Sequence, residues 1–175
     1  ATSNPSGNGF PSVGMFLGTG GGNQTTGGNV ASGTVATGWN NRGLSGTTAT
    51  CVATDPTTTP RTDTAGNWQK VTYSCTTGPA TFRLYTTGPA SNIVAGTYVQ
   101  VSADVKIDSA TLLDYIQLNC LETGGAGSNN SIVLKDPGAG FYPLPTITSP
   151  VTMRLQTAPI LISSGSTDVS IRFEL

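Results

Sequence analysis

The sequence predicts an all-β fold, an antiparallel β-sandwich with a jelly-roll-like order of about eight to ten short strands. Three observations predict it. Apolar and polar residues alternate with a period of two in several segments, most clearly over Thr97–Ile107. Clusters of glycine, proline and asparagine separate these segments at spacings typical of a sandwich. No segment of ten or more residues has the clear periodicity of an amphipathic helix.

The chain begins with a Gly/Thr-rich segment over residues 1–38, and a pattern of short strands follows it. Two Gly-Pro pairs, Gly78-Pro79 and Gly88-Pro89, predict turns on either side of one strand. A helix is the alternative for Leu112–Leu121, but turn residues close this segment on both sides and favour a strand. The predicted strands are Thr47–Thr54, Trp68–Thr76, Thr81–Tyr85, Thr97–Ile107, Leu112–Leu121, Ser131–Lys135, Thr152–Gln156, Ile160–Ser163 and Asp168–Leu175.

Length and charge narrow the classes of protein to consider. The 175 residues fit one domain over 1–175. Charged residues make up only 10%, with a net charge of −1 and scattered basic residues, which argues against a nucleic-acid partner. No apolar run is long enough for membrane insertion. The sequence from Ala1 onward is polar and does not have the pattern of a signal peptide, so we interpret it as a mature or excised piece. Its composition predicts an extracellular or virion-surface location.

The sequence predicts a protein that is not an enzyme. It contains no histidine, so it has no Ser/His or Cys/His couple and lacks the commonest general base. It also has no Gly-x-Ser-x-Gly elbow and no Ser-x-x-Lys motif. A glycosidase would need two carboxylates on either side of one bond, and we expect the acids here to be solvated or to cap turns.

Cysteine and metal patterns leave two questions open. Cys51 and Cys75 could form a disulfide, or these two and Cys120 could be three reduced thiols. No cofactor is expected, and the absence of a Cys-x-x-Cys pattern argues against zinc. Asp136 and Asp168 lie in or beside loops and could hold a structural calcium ion, although no Asp-x-Asp-x-Asp-Gly loop is present.

The outward rows of several predicted strands combine aromatic rings with amides and a guanidinium. Such a surface suits a sugar, since sugar C–H faces stack on rings and sugar hydroxyls need polar partners. Ordinary cross-strand packing is the alternative for each ring. The candidate ligand-binding residues are Trp68, Arg83, Tyr85, Tyr98, Gln100, Tyr115, Gln117 and Asn119.

Several short motifs resemble known β-sandwich modules. Gly33 to Trp39, Trp68-Gln69-Lys70-Val71-Thr72 and the stretch Ala95 to Lys106 are similar to domains attached to SGNH (GDSL-type) hydrolases and found in phage tail proteins. The order Gly-Trp, Trp-Gln and Ala-Gly-x-Tyr also resembles jelly-roll carbohydrate-binding modules of the xylanase-associated kind. The similarity covers residues 4–120.

The resemblance implies a non-catalytic accessory or receptor-binding module whose partner is a polysaccharide or surface glycan. The Gly-Asp-Ser block of the hydrolases and the C-terminal Asp pair of the sugar-binding modules are absent. The alternative function is structural, as a viral tail, fibre or capsid-decoration protein. A homo-oligomer suits either function.

Overall fold

The computed structural model describes residues 16, 18–62, 66–89, 94–110, 113–135, 142–143 and 150–175, and strands dominate them. The strands are β1 (Gly22–Gln24), β2 (Asn29–Gly33), β3 (Asn40–Ala53), β4 (Val71–Pro89), β5 (Tyr98–Val99), β6 (Ser102–Ile107), β7 (Tyr115–Gly124), β8 (Asn129–Lys135), β9 (Tyr142–Pro143), β10 (Val151–Gln156), β11 (Ile160–Leu161) and β12 (Ser166–Glu174). A short 3-10 turn, Pro56–Thr58, follows β3. The all-β fold class is therefore confirmed.

The sheets are mostly antiparallel and consistent with a β-sandwich, whereas the jelly-roll order of strands stays a prediction. The chain divides into two compact units, residues 1–87 and residues 88–175. The expectation of one domain over 1–175 stays a prediction, and the two units are described separately. Among the described residues, no helix has the length and apolar character that a membrane span requires.

The first unit is built around β3 and β4. These strands pair antiparallel, while β1 and β2 pair parallel to the beginning and the end of β3. The described part of residues 1–38 therefore contains two strands, β1 and β2, that the Gly/Thr-rich composition did not predict. Both are short and rich in small or polar residues, so their conformation depends on pairing with β3 and not on alternation of their own.

The Gly78-Pro79 pair does not form the predicted turn, because β4 continues through it. Gly46 on β3 pairs with Ala80, and the next residue, Thr47, pairs with Thr77. Gly78 and Pro79 therefore bulge out of the ladder. Proline has no N–H to donate, and within a sheet it is tolerated at a bulge of this kind.

The second unit contains a sheet in which β7 pairs antiparallel with β12 and β8. Leu118, Cys120 and Val169 are fully buried on one face of this sheet. The strand predicted over Leu112–Leu121 is confirmed from Tyr115 onward, and the helical alternative is wrong there.

The strand predicted over Thr97–Ile107 is divided into β5 and β6. β5 pairs with β11, and β6 pairs with β10, both antiparallel. Thr157 lies between β10 and β11, donating its N–H to the Val101 carbonyl at 2.9 Å and accepting from the Val101 N–H through Oγ1 at 3.3 Å. The pair Thr157 and Val101 thus joins the two ladders into one ribbon.

Glu122, 2% exposed near the end of β7, ties two turns of the second unit together. Its Oε1 accepts from the Ser163 N–H and hydroxyl at 2.8 and 2.6 Å, and its Oε2 accepts from the Ser128 N–H at 2.9 Å. Gly125, at φ 52°, lets the backbone pass close to the Ser163 hydroxyl, where a Cβ would clash. These hydrogen bonds hold the pKa of the Glu122 carboxyl at about 2, below its ordinary 4.5.

Because the folded pKa is lowered, the stabilisation from the Glu122 carboxylate is fully present above about pH 4.5 and is lost as the pH falls toward about 2. We expect Glu122→Gln to lower the unfolding temperature by several degrees at pH 7. The glutamine amide has an NH2 group in place of one carboxylate oxygen, so a donor stands where the Ser163 or Ser128 contact needs an acceptor. The variant should also lose much of the acid sensitivity between pH 4.5 and pH 2.

Urea unfolding across this pH range measures both effects, with Asp114→Asn as the control because Asp114 is an exposed acid. Equal acid sensitivity of wild type and Glu122→Gln would contradict this assignment.

Candidate functional site

Tyr98 and Gln100 lie on the outward side of the ribbon in the second unit. The Tyr98 side chain is 70% exposed and lies directly opposite Leu161, itself 46% exposed, across the β5–β11 ladder. Val94 is also exposed, in the turn that precedes β5. Large apolar side chains therefore remain in solvent at this end of the ribbon, while Val99 and Ile160 form the inward pair.

The amide of Gln100 has a fixed orientation. Its Nε2 donates to the Thr157 carbonyl at 2.8 Å, on the residue that joins the two ladders. With the NH2 group engaged in this way, Oε1 is left to accept a hydrogen bond from a ligand. Gln100 therefore offers a positioned polar group two residues along from the Tyr98 ring.

The outward side continues with polar groups on β6 and β10. Arg154 donates through Nη2 to the Ser102 hydroxyl at 3.0 Å, and its Nη1 lies 3.8 Å from Asp104 Oδ1. Each of these interactions crosses the ladder and fixes a long side chain. We call this surface the ribbon face and define it by its outward residues, Tyr98, Gln100, Ser102, Asp104, Arg154, Gln156 and Leu161.

Tyr115, Gln117 and Asn119 occupy one face of β7 in the same unit, as the alternation predicts. Tyr115 and Gln117 are half-buried, and Asn119 is only 7% exposed. The Asn119 amide donates through Nδ2 to Asn129 Oδ1 on β8 at 2.8 Å, and its own Oδ1 is buried. Asn119 therefore joins two strands, and Tyr115 presents less ring surface than Tyr98.

Arg83 and Tyr85 share one face of β4 in the first unit. Both are half-buried, and they lie directly opposite Arg42 and Asn40 on β3. The opposite face of β4 carries the buried Phe82 and Leu84, so the predicted alternation of this segment is confirmed.

Trp68 precedes β4 and is not an outward residue of a strand. The guanidinium of Arg61 lies over its ring, 4.5 Å from the ring centroid. The Trp68 N–H donates to the Thr59 carbonyl at 2.8 Å, and the Thr59 hydroxyl donates to the Trp68 carbonyl at 2.7 Å, so these two residues close the loop. One face of the indole is therefore occupied by a cation–π contact, which reduces the ring surface available to a ligand.

The eight candidate residues belong to four local surfaces. Two of these surfaces, around Trp68 and around Arg83, are in the first unit. The other two, around Tyr98 and around Tyr115, are in the second unit and lie on strands that do not pair with each other. Leu161 and Arg154 were not predicted, because their places opposite Tyr98 and Asp104 depend on pairing between segments about fifty residues or more apart in the sequence.

The Gly-Trp motif has a structural role. Trp39 is buried, and its ring lies 4.8 Å from that of Phe16, centroid to centroid. The Trp39 N–H donates to the Ala36 carbonyl, and the Thr86 hydroxyl donates to the Gly38 carbonyl at 2.6 Å. Trp39 therefore packs inside the first unit and does not line a binding site.

Gln69 of the Trp-Gln motif is also structural. Its Oε1 accepts from the Ala36 N–H at 2.8 Å, while its Nε2 donates to the carbonyls of Thr34 and Thr54 at 3.3 and 2.8 Å. One side chain thus satisfies backbone groups of two separate segments. Trp39 and Gln69, which these two motifs contain, therefore both serve the packing of the first unit.

The thiols carry no sign of a reactive site. No disulfide joins the three cysteines, and burial raises the pKa of the Cys51 and Cys120 thiols to about 11. Cys51 pairs with Tyr73, and Cys75 pairs with Ala49, so the two cysteines are diagonal and not directly opposite. Both buried thiols stay protonated at neutral pH and act as small apolar side chains.

A calcium site finds little support in the part of the chain that the structure describes. Asp136 lies outside the described residues. Asp168 lies on β12, and its Oδ1 is buried without a hydrogen-bond partner. No group of three His, Cys, Asp or Glu side chains that could hold a metal ion occurs among the described residues. Calcium prefers about six to eight oxygen ligands, and one carboxylate is too few to define such a site.

Gln69→Ala should destabilise the protein by about 2–3 kcal/mol, because it removes the hydrogen bonds to residues 34, 36 and 54 and leaves these backbone groups unsatisfied. Urea unfolding measures this change, with the exposed Gln24→Ala as the control. An effect no larger than that of the control would show that water replaces the side chain at no cost.

No family model, curated protein or solved structure matches this chain.

Proposed function

We propose that this chain is a non-catalytic glycan-binding module that holds a polysaccharide or surface glycan on the ribbon face. The observation that carries the proposal is the Tyr98 ring, which is 70% exposed at the end of a hydrogen-bonded ladder. An extracellular or virion-surface setting belongs to the same proposal.

The ribbon face combines the two kinds of contact that a sugar requires. Tyr98 and Leu161 supply an apolar surface for C–H groups. Gln100 supplies an oriented amide, and Arg154 and Asp104 supply charged groups that are already held across the ladder. Groups positioned before binding lose less conformational entropy when a ligand arrives, which favours recognition by a rigid surface.

The expected affinity is weak. An aromatic contact contributes about 1 kcal/mol beyond the area that it buries. One ring with a few hydrogen bonds corresponds to a dissociation constant of roughly micromolar to millimolar. A repeating polysaccharide or an oligomer of this chain would raise the apparent affinity through avidity.

A binding role also agrees with the chemistry of the carboxylates that the structure describes. Glu122 is buried with its pKa held at about 2, so it remains a hydrogen-bonded anion and cannot serve as a proton donor near neutral pH. Asp104 and Asp108 lie beside Arg154 and Lys106, respectively. A glycosidase needs a general acid whose pKa is raised, and the shift at Glu122 is in the opposite direction.

Tyr98→Ala should weaken retention on the bound polysaccharide by about tenfold or more, since it removes the exposed ring. The unfolding temperature should hardly change, because the side chain makes few contacts inside the unit. Tyr98→Phe should keep most of the retention. A screen of polysaccharides by pull-down identifies the ligand, and affinity electrophoresis then compares the variants.

Thr152→Ala is the matched control, since Thr152 is exposed on the same ribbon at the end far from Tyr98. Equal retention by wild type and Tyr98→Ala would contradict the assignment of the ribbon face. A stable oligomer that retains no polysaccharide at all would contradict glycan binding and would favour the structural role in a viral tail, fibre or capsid.

A further inference from the structure

We propose that the first unit carries a binding site for an oxyanion, a carboxylate or sulfate group, centred on Arg42. Arg42 on β3 lies directly opposite Arg83 on β4. Directly opposed residues project from the same face of a sheet, and two like charges in that position destabilise the pair.

The Arg42 guanidinium is incompletely satisfied. Its Nε is buried, and it has no hydrogen-bond partner. A buried N–H of a charged group without an acceptor costs free energy. An acceptor that bonds to this guanidinium therefore gains more binding free energy than an acceptor at a fully solvated arginine. The proposal rests on Arg42, because Arg83 makes other interactions as well.

Polar neighbours surround Arg42 in two rows across three strands. The first row is Gln24, Arg42 and Arg83, and the second is Gly22, Asn40 and Tyr85. A Cβ at Gly22 would come within 2.6 Å of Asn40 Oδ1, so the Asn40 amide lies over Gly22 in the place that a side chain would take. Gln24, Asn40 and Tyr85 all have groups that can donate to an oxygen ligand.

Among the described residues of the first unit, Arg42 has no carboxylate partner. Asp55 is the one described acid of this unit, and Asp55 Oδ1 accepts from the Thr57 N–H and hydroxyl at 2.9 and 2.7 Å. Asp55 also follows the end of β3, whereas Arg42 lies near its beginning. The counter-charge that suits the fork of a guanidinium is a planar or tetrahedral oxyanion.

Two sources could supply this group, a free small anion or the acidic groups of a polysaccharide. Isothermal titration calorimetry with sodium sulfate and sodium acetate, at an ionic strength held constant with sodium chloride, measures the binding of free anions. Retention on a sulfated and on a carboxylated polysaccharide, compared with a neutral one, measures the binding of acidic polysaccharide. We expect saturable binding of at least one of these anions.

Arg42→Gln should weaken this binding by about tenfold or more, because it removes a charge-assisted hydrogen bond. Arg42→Lys should weaken it as well, since lysine keeps the charge but lacks the fork. Lys70→Gln removes the same charge from an exposed position of the first unit and should leave the binding unchanged.

If Arg42→Gln loses the binding of small anions and of acidic polysaccharide alike, the site is one for acidic glycans. If it loses the binding of small anions alone, the site is one for free oxyanions. Equal binding by wild type and Arg42→Gln, full binding by Arg42→Lys, or no saturable binding of any anion would overturn the proposal. The proposed site shares no residue with the ribbon face, so Tyr98→Ala should bind the anion normally, and Arg42→Gln should retain a neutral polysaccharide normally.

Discussion

The position of the Tyr98 ring depends on the hydrogen bonds between Thr157 and Val101. Both residues are buried, and their bonds join the β5–β11 ladder to the β6–β10 ladder where regular pairing stops. Two-residue strands such as β5 and β11 would be marginal alone. Because Thr157 also accepts from the Gln100 amide, the same residue fixes the first polar group beside the ring.

Side-chain amides perform a similar task elsewhere in this weakly charged chain. Gln69 holds segments of the first unit together, and Asn119 joins β7 to β8 in the second. Asn41 donates to the Cys51 carbonyl at 3.2 Å inside the first unit. Amides can satisfy several backbone groups without the desolvation cost of a charge. This explains how a sequence with 10% charged residues can satisfy buried backbone groups outside the regular ladders.

Alternation alone predicted the fold class and the inward and outward faces of β7 and of the segment over β5 and β6. It could not predict β1 and β2, because those short strands exist only through pairing with β3. The bulge at Gly78-Pro79 was predicted as a turn, since Gly-Pro has the same local preferences in both settings. The candidate rings were identified from the sequence, but their exposure was not, since Arg61 covers Trp68 while Tyr98 stays open.

Binding of a glycan to the ribbon face can be mapped by following the backbone amide NMR signals of the isotopically labelled chain during titration with the oligosaccharide of a retained polysaccharide. We expect the largest shifts on residues 94–104 and 154–161, around Tyr98. Shifts confined to β7 and β8, or to the first unit, would contradict it.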